Sequence, residues 1–358
     1  MKTLYSFSKG FSLFVLLSLF SFQMNAQDIH FSQFGNSPLN LNPALTGMFG
    51  GDMRFVGNYR SQWNDVPVSY LTFSGAFDMK FDKFCSNHDQ WAGGLLFNYD
   101  VAGDSKLHLA QLAANVSYTH RVNTKNFLSL GLQLSGYQRG FKTEDLRFDS
   151  QWNGRTYDPS RNALINENFA NTNYFFGDFS VGLNWHYQKP KSQSQWNPQN
   201  RTKLDVGVSV FHINQPDQTF YEDQVQCDCY MRYAIHGMGT FRLIDPLDLV
   251  VLAVHQQQGP HTETVLGIAG KIHLDQRLAR QLNILLGINV RLGDRDPLDA
   301  FIPNIEVQYN AWRVGLSYDV NVSDFNIATN RFGGPELSLQ YIFVKPRLDL
   351  FRNCNPIY

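Results

Sequence analysis

Strict alternation of apolar with polar or small residues constrains this chain more than any other feature. Phe179, Val181, Leu183, Trp185 and Tyr187 alternate with Ser180, Gly182, Asn184 and His186. Leu128, Leu130, Leu132 and Leu134 alternate with Ser129, Gly131, Gln133 and Ser135, and Leu204, Val206, Val208 and Val210 with Asp205, Gly207 and Ser209. The same holds for Ile284–Leu292 around Gly287, Asn289 and Arg291, and for Trp312–Val320 around Arg313, Gly315, Ser317 and Asp319. Successive side chains of a strand point to opposite faces, so each segment presents one apolar and one polar or small face. About fourteen such segments can be counted, near 53–62, 67–81, 91–101, 106–122, 126–141, 175–188, 202–213, 230–243, 247–258, 262–273, 282–292, 300–309, 311–322 and 335–345.

Two architectures alternate in this way, a soluble β-sandwich or propeller and a transmembrane barrel. A soluble sheet turns Lys, Glu, Arg and Thr to water. Here the non-apolar face is mostly Gly, Ser, Asn and Gln, and charged residues make up only 17 % of the 358. An even number of strands near ten residues or longer fits a transmembrane antiparallel barrel, whose closure leaves no edge to satisfy in lipid. Trp91, Tyr99, Tyr118, Tyr137, Trp185, Tyr187, Tyr309, Trp312 and Tyr341 fall near segment ends, as interfacial aromatic girdles require. The fold expected is therefore all-β, a transmembrane antiparallel β-barrel of about 14 strands.

The first residues read as an export signal. Lys2 and Lys9 precede an apolar run from Phe11 to Phe22, too short to span a bilayer, and Ala26 supplies a small residue before Gln27. With Gln27 rather than Cys after the expected cut, no lipid anchor is expected. The chain divides into a signal peptide (1–26), an irregular segment (27–52), the barrel (53–345) and a tail (346–358), with the outer membrane as destination. Without Lys2 and Lys9, 28 basic residues face 31 acidic ones, a balance that argues against nucleic acid.

The segment after the signal is dense in Asn, Pro and Gly. Pro38 and Pro43 remove backbone donors and push Ser37 and Asn42 into extended conformations, so neither a helix nor a central strand is expected over Asn36–Gly47. Its unpaired backbone groups cannot lie against lipid, which leaves the lumen or the periplasmic mouth. It is expected to fold back into the barrel as a plug or docking segment carried by Asn42, Pro43, Ala44 and Gly47, with Arg60 and Trp63 seating it. Barrel precedent places the long connections (142–173, 189–200 and 215–229) outside and the N-terminus on the periplasmic side; 189–200 has linker composition and is expected to be mobile.

No catalytic constellation stands out. There is no G-x-S-x-G, H-E-x-x-H or P-loop, and acidic neighbours such as Asp294-Arg295-Asp296 read as solvated loops. Cys227-Asp228-Cys229 offers half of a zinc site, but no second pair has suitable spacing, so loop cysteines are the expectation. Cys85 and Cys354 complete the four cysteines, and their connectivity stays open. No cofactor and no metal is expected.

Several stretches, in order, resemble the PorP/SprF family: Asp28-Ile29-His30-Phe31-Ser32-Gln33-Phe34, Leu39–Gly47, Tyr59–Trp63, Asp145–Gln151, Gly207–Pro216, Arg232-Tyr233, Leu316–Ser323 and Gly334–Tyr341. The resemblance spans the mature chain and implies a non-enzymatic outer-membrane barrel of the type IX secretion and gliding-motility machinery. Its implied partners are outer-membrane lipid, secretion components on the periplasmic side and a large secreted adhesin. The chain departs from the family at Val290–Asp294, where a more basic and aromatic stretch is usual. It departs again in the tail beyond Phe343, so the assembly signal is internal or displaced. The alternative is a general diffusion porin or uptake channel, which needs an open, charged constriction; an outer-membrane hydrolase would need a clustered Ser-His or Asp-His set.

Overall fold

The computed structural model describes residues 28–62, 70–81, 89–103, 105–142, 146, 148–158, 160–161, 172–189, 201–218, 220, 229–277, 280–293, 297–323 and 331–344. Fourteen strands form one closed antiparallel barrel: β1 (Met53–Gln62), β2 (Tyr70–Lys80), β3 (Asp89–Ala102), β4 (Leu107–Arg121), β5 (Asn126–Gly140), β6 (Asn173–Gln188), β7 (Lys203–Phe211), β8 (Arg232–Ile244), β9 (Leu247–Gln258), β10 (His261–Arg277), β11 (Arg280–Gly293), β12 (Ala300–Tyr309), β13 (Trp312–Asn321) and β14 (Phe332–Phe343). Each strand pairs with its sequence neighbours, and β1 closes on β14 in a register from Met53–Phe343 to Arg60–Glu336.

The distribution of side chains is the reverse of a water-soluble core. Leu134 is 69 % exposed on the outer face, while its neighbours Gln133 and Ser135 are buried at 2 % and 3 %. Exposed Leu, Val, Ile and Phe cover the outside, and the buried polar residues lie inside. Such an outer face loses free energy in water and none in lipid. Outward aromatic pairs (Trp91 with Tyr118, ring centroids 5.0 Å apart, and Trp312 with Tyr341, 4.5 Å) sit toward the strand ends. Tyr137 departs from the expected girdle. It faces the lumen and stacks on Phe176, because it falls in phase with Gln133 and Ser135. No helix among the described residues is long and apolar enough to cross a membrane.

An even strand number returns the chain to the end where it entered, so β1 begins and β14 finishes at one end, here the terminal end. Tight turns lie there: Asn123 Oδ1 accepts from the backbone nitrogens of Lys125 (2.9 Å) and Asn126 (3.0 Å), and Asn310 takes a left-handed φ of 50°. The connections 141–172 and 212–231 lie at the other, long-loop end. The connection 189–202 corrects the expected one-sidedness, since it falls among the short turns at the terminal end. The expected mobility of 190–200 lies outside the described residues, as do the signal peptide, the tail, Trp63, Asp294-Arg295-Asp296, Cys85, Cys227 and Cys354.

Residues 28–52 thread the lumen from end to end. Asp28 meets His212 and Arg232 at the long-loop end, and Asp52 meets Phe343 at the terminal end. The start of the segment thus shares a mouth with the connections 141–172 and 212–231, so long connections outside and a periplasmic-side start cannot both hold. The barrel's own ends share one mouth, but the segment before β1 runs the full height of the lumen and begins at the opposite mouth. Nor is Asn36–Gly47 wholly irregular. Phe34–Asn36 and Pro43–Leu45 are 3-10 turns, and Pro38–Leu41 is one α turn. Each proline opens a turn, where its missing N–H needs no partner.

Candidate functional site

The middle of the segment is fitted to the wall of β2–β7. Asn42 is fully buried. Its Oδ1 accepts from the Ala44 nitrogen (2.8 Å), and its Nδ2 donates to the carbonyls of Leu183 (3.0 Å) and Val208 (3.1 Å). The side chain thus caps the Pro43 turn and ties it to two strands. The carbonyls of Leu41, Ala44 and Thr46 accept from the hydroxyls of Ser209 (2.8 Å), Ser129 (2.9 Å) and Ser117 (2.7 Å). Asn40 Nδ2 donates to Ser74 Oγ (2.9 Å), and its Oδ1 accepts from Asn98 Nδ2 (2.7 Å). An irregular backbone buried in a barrel must find such partners one by one, and the small hydroxyls and amides of the lumen provide them.

Glycine makes this approach possible. A Cβ on Gly131 would collide with the backbone of Pro43 and Ala44, and one on Gly182 would collide with Asn42. Gly47 itself has φ +75° and passes Ala92 closely. Apolar side chains of the segment find small cores inside the polar lumen. Phe34, Leu41 and Leu45 pack with Val254 and Val265, flanked by Met48, Met238 and Leu252, while Leu39 packs with Leu96 and Ala113.

Both ends are held by buried charge. At the long-loop end the Glu336 carboxylate accepts from the nitrogens of Ser32 and Gln33 (2.8 Å each), and Asp319 accepts from Ser32 Oγ (2.8 Å). Arg60 Nη2 and Arg291 Nη1 pair with Asp319 at 2.9 and 2.7 Å, and Arg60 Nη1 donates to the His30 carbonyl. Four buried charges are thereby paired and hydrogen-bonded, the condition under which buried ions are tolerated. At the terminal end Arg54 pairs with Asp78 (2.7 Å) and donates to the Leu45 carbonyl, Asp78 accepts from the Gly47 nitrogen (2.8 Å), and Lys80 Nζ donates to the Phe49 carbonyl (2.6 Å).

The first residues reach a further group at the long-loop mouth. His212 Nε2 lies 2.6 Å from Asp28 Oδ2 and its Nδ1 lies 3.2 Å from Asp178 Oδ2, while Arg232 Nε is 3.2 Å from Asp28. Burial opposes charge on Asp28 and on His212. Their mutual attraction prevails, holding the Asp28 carboxyl, which also faces Arg232, well below its usual range and the His212 imidazole, flanked by Asp178, well above its own. Cys229 is a free, buried thiol beside them, and burial pushes its pKa up.

Of the six residues read from the sequence, Asn42, Pro43, Ala44 and Gly47 all lie inside the barrel on one continuous path. Arg60 faces the lumen too, but it grips His30 and, through Asp319, Ser32 rather than Asn36–Gly47. The reason is register: it lies seven positions along β1 from Met53, which carries it to the far mouth. Sequence reasoning missed Asp28, Ser32, Gln33 and their partners Asp319 and Glu336. The signal was present, because the stretches at 28–34, 316–323 and 334–341 that carry the family resemblance meet at this mouth.

The segment does not occupy the whole lumen. A cavity of about 610 Å³ remains beside it, lined among others by Lys203, Asp205, Asp248, Lys271, Glu306 and Arg313 of β7–β13.

Comparison with known proteins bears on this barrel in three ways. No curated protein matches the sequence. Similar solved structures include the translocator domain of the autotransporter NalP from Neisseria meningitidis, 10 % identical with a TM-score of 0.35, over 87 % of this chain and 96 % of that one. They also include the monoaromatic hydrocarbon channel CymD, 9 % identical with a TM-score of 0.44, over 88 % and 94 %, and a TodX deletion mutant, 9 % identical with a TM-score of 0.45, over 86 % and 93 %. The family model for the type IX secretion system membrane protein PorP/SprF matches residues 23–341. The chain is a member of the PorP/SprF family of type IX secretion system membrane proteins, a secretion-related barrel whose fold fits the outer membrane.

Proposed function

We propose that this protein is a non-enzymatic docking or anchoring component of type IX secretion in the outer membrane, its lumen kept closed by its own N-terminal segment. It is exported through a cleaved signal peptide. It engages secretion components on the periplasmic side and serves the surface attachment of a large secreted adhesin, in the manner of gliding-motility systems. The observation that carries this reading is the segment 28–52, threaded through the lumen and fastened at both mouths by buried ion pairs. A diffusion channel has no use for so many contacts that close it, whereas a scaffold gains rigidity from them.

The test is affinity purification of the tagged protein from cross-linked outer membranes, followed by mass spectrometry. Recovery of type IX secretion components or of the adhesin is expected. Recovery of neither, together with large stable currents in a planar bilayer, would replace this reading with the uptake-channel alternative.

A further inference from the structure

At the long-loop mouth three side chains from distant parts of the chain offer different metal-ligand atoms. Asp28 comes from the threaded segment, His212 from the end of β7 and Cys229 from the approach to β8. One ligand atom of each lies within 4.8 Å of the other two. Two further features distinguish this group from an ordinary ion pair. The imidazole uses its two nitrogens in opposite directions, Nε2 toward Asp28 and Nδ1 toward Asp178. Asp178 is 2 % exposed and its Oδ1 has no hydrogen-bond partner among the described residues, while its Oδ2 lies 3.2 Å from His212 Nδ1. A carboxylate at Nδ1, with a second carboxylate at Nε2 and a thiol within 4.8 Å of the group, is the kind of arrangement by which proteins orient a metal-binding histidine.

We propose that Asp28, His212 and Cys229 form a site for a borderline divalent cation of the zinc type, with Asp178 as the positioning residue behind His212. Sulfur, imidazole nitrogen and carboxylate oxygen together suit zinc-like ions and disfavour calcium or magnesium, which take oxygen ligands. The exchange balances in charge. Without metal the group holds Asp28 and Asp178 as anions against His212 and Arg232 as cations, with Cys229 as a neutral thiol. The entering divalent ion displaces one proton from His212 Nε2 and one from Cys229 Sγ, and the net charge is unchanged. Asp178 then accepts from Nδ1–H, which fixes the tautomer that leaves Nε2 free for the metal. Three protein donors leave one tetrahedral position open to water or to a group from outside. The ion would clip the start of the threaded segment to the barrel rim, joining residues separated by more than 180 positions in the chain.

The test uses the full mature protein, purified in detergent, freed of metal with a chelator and titrated with Co²⁺ as a spectroscopic substitute for zinc. A thiolate-to-cobalt absorption band saturating near one equivalent is expected, and it should be abolished in Cys229→Ser. Asp178→Asn keeps every ligand and should need about 10–100-fold more Co²⁺ for half-saturation. Heat-modifiable gel migration like that of the parent verifies that each variant is folded. Absence of the band, or its persistence in Cys229→Ser, overturns the site; an unshifted titration in Asp178→Asn overturns the role given to Asp178.

Discussion

Two parts of the lumen wall carry the same alternation and do different work. At mid-height the wall of β3–β6 faces Pro38–Gly47 and is built from Ser117, Ser129, Gln133, Ser180, Asn184, Gly131 and Gly182, without charge. The terminal half of β7–β13 faces the remaining cavity and carries Lys203, Asp205, Asp248, Lys271, Glu306 and Arg313. Where the segment's backbone approaches β3–β6, the wall is small and supplies neutral donors at short range. Where space remains, long charged side chains are tolerated, because they keep water or one another as partners. Small neutral residues thus mark the occupied wall of β3–β6 and charged ones the wetted wall, while the two ends of the segment are gripped by charged pairs.

The contrast can be attacked by substitution. Glu336→Ala should have the largest effect of a single change. It strands the buried nitrogens of Ser32 and Gln33 and leaves Arg60 undercompensated, at a cost of about 3–5 kcal/mol to the seated segment. Hydrogen exchange should show protection at Ser32 and Gln33 falling about 100-fold or more while the strands stay protected. Gly131→Val, on the occupied wall, should push Pro43–Ala44 off the strand at about 1–3 kcal/mol, seen as faster exchange over 40–47. Lys271→Gln, on the wetted wall, should stay within about 0.5 kcal/mol, because its partner Gln308 and the cavity accommodate either side chain. If Gly131→Val and Lys271→Gln behaved alike, the distinction between the walls would be lost.

Most of the architecture was legible in the sequence, since period-two patterning reports directly which residues face outward. All fourteen strands fall where that pattern places them, and only their ends move by a few residues. The lumenal placement of the segment followed from the impossibility of irregular backbone in lipid. Its path did not, because direction through a lumen leaves no periodic trace. One trace lies elsewhere: in β9, Val250, Leu252 and Val254 turn apolar side chains inward and spoil the alternation, and Val254 packs against Phe34, Leu41 and Leu45. The group of Asp28, His212 and Cys229 was invisible for another reason. Its members lie far apart in sequence, and only closure of the barrel brings them together.

Whether residues 28–47 close the lumen is read most simply by single-channel recording. The intact mature barrel in a planar bilayer should show no stable large openings. A variant lacking residues 28–47, verified as a folded barrel by its heat-modifiable migration, should conduct steadily through the vacated lumen. Equal currents from the two proteins, open or closed, would contradict the account.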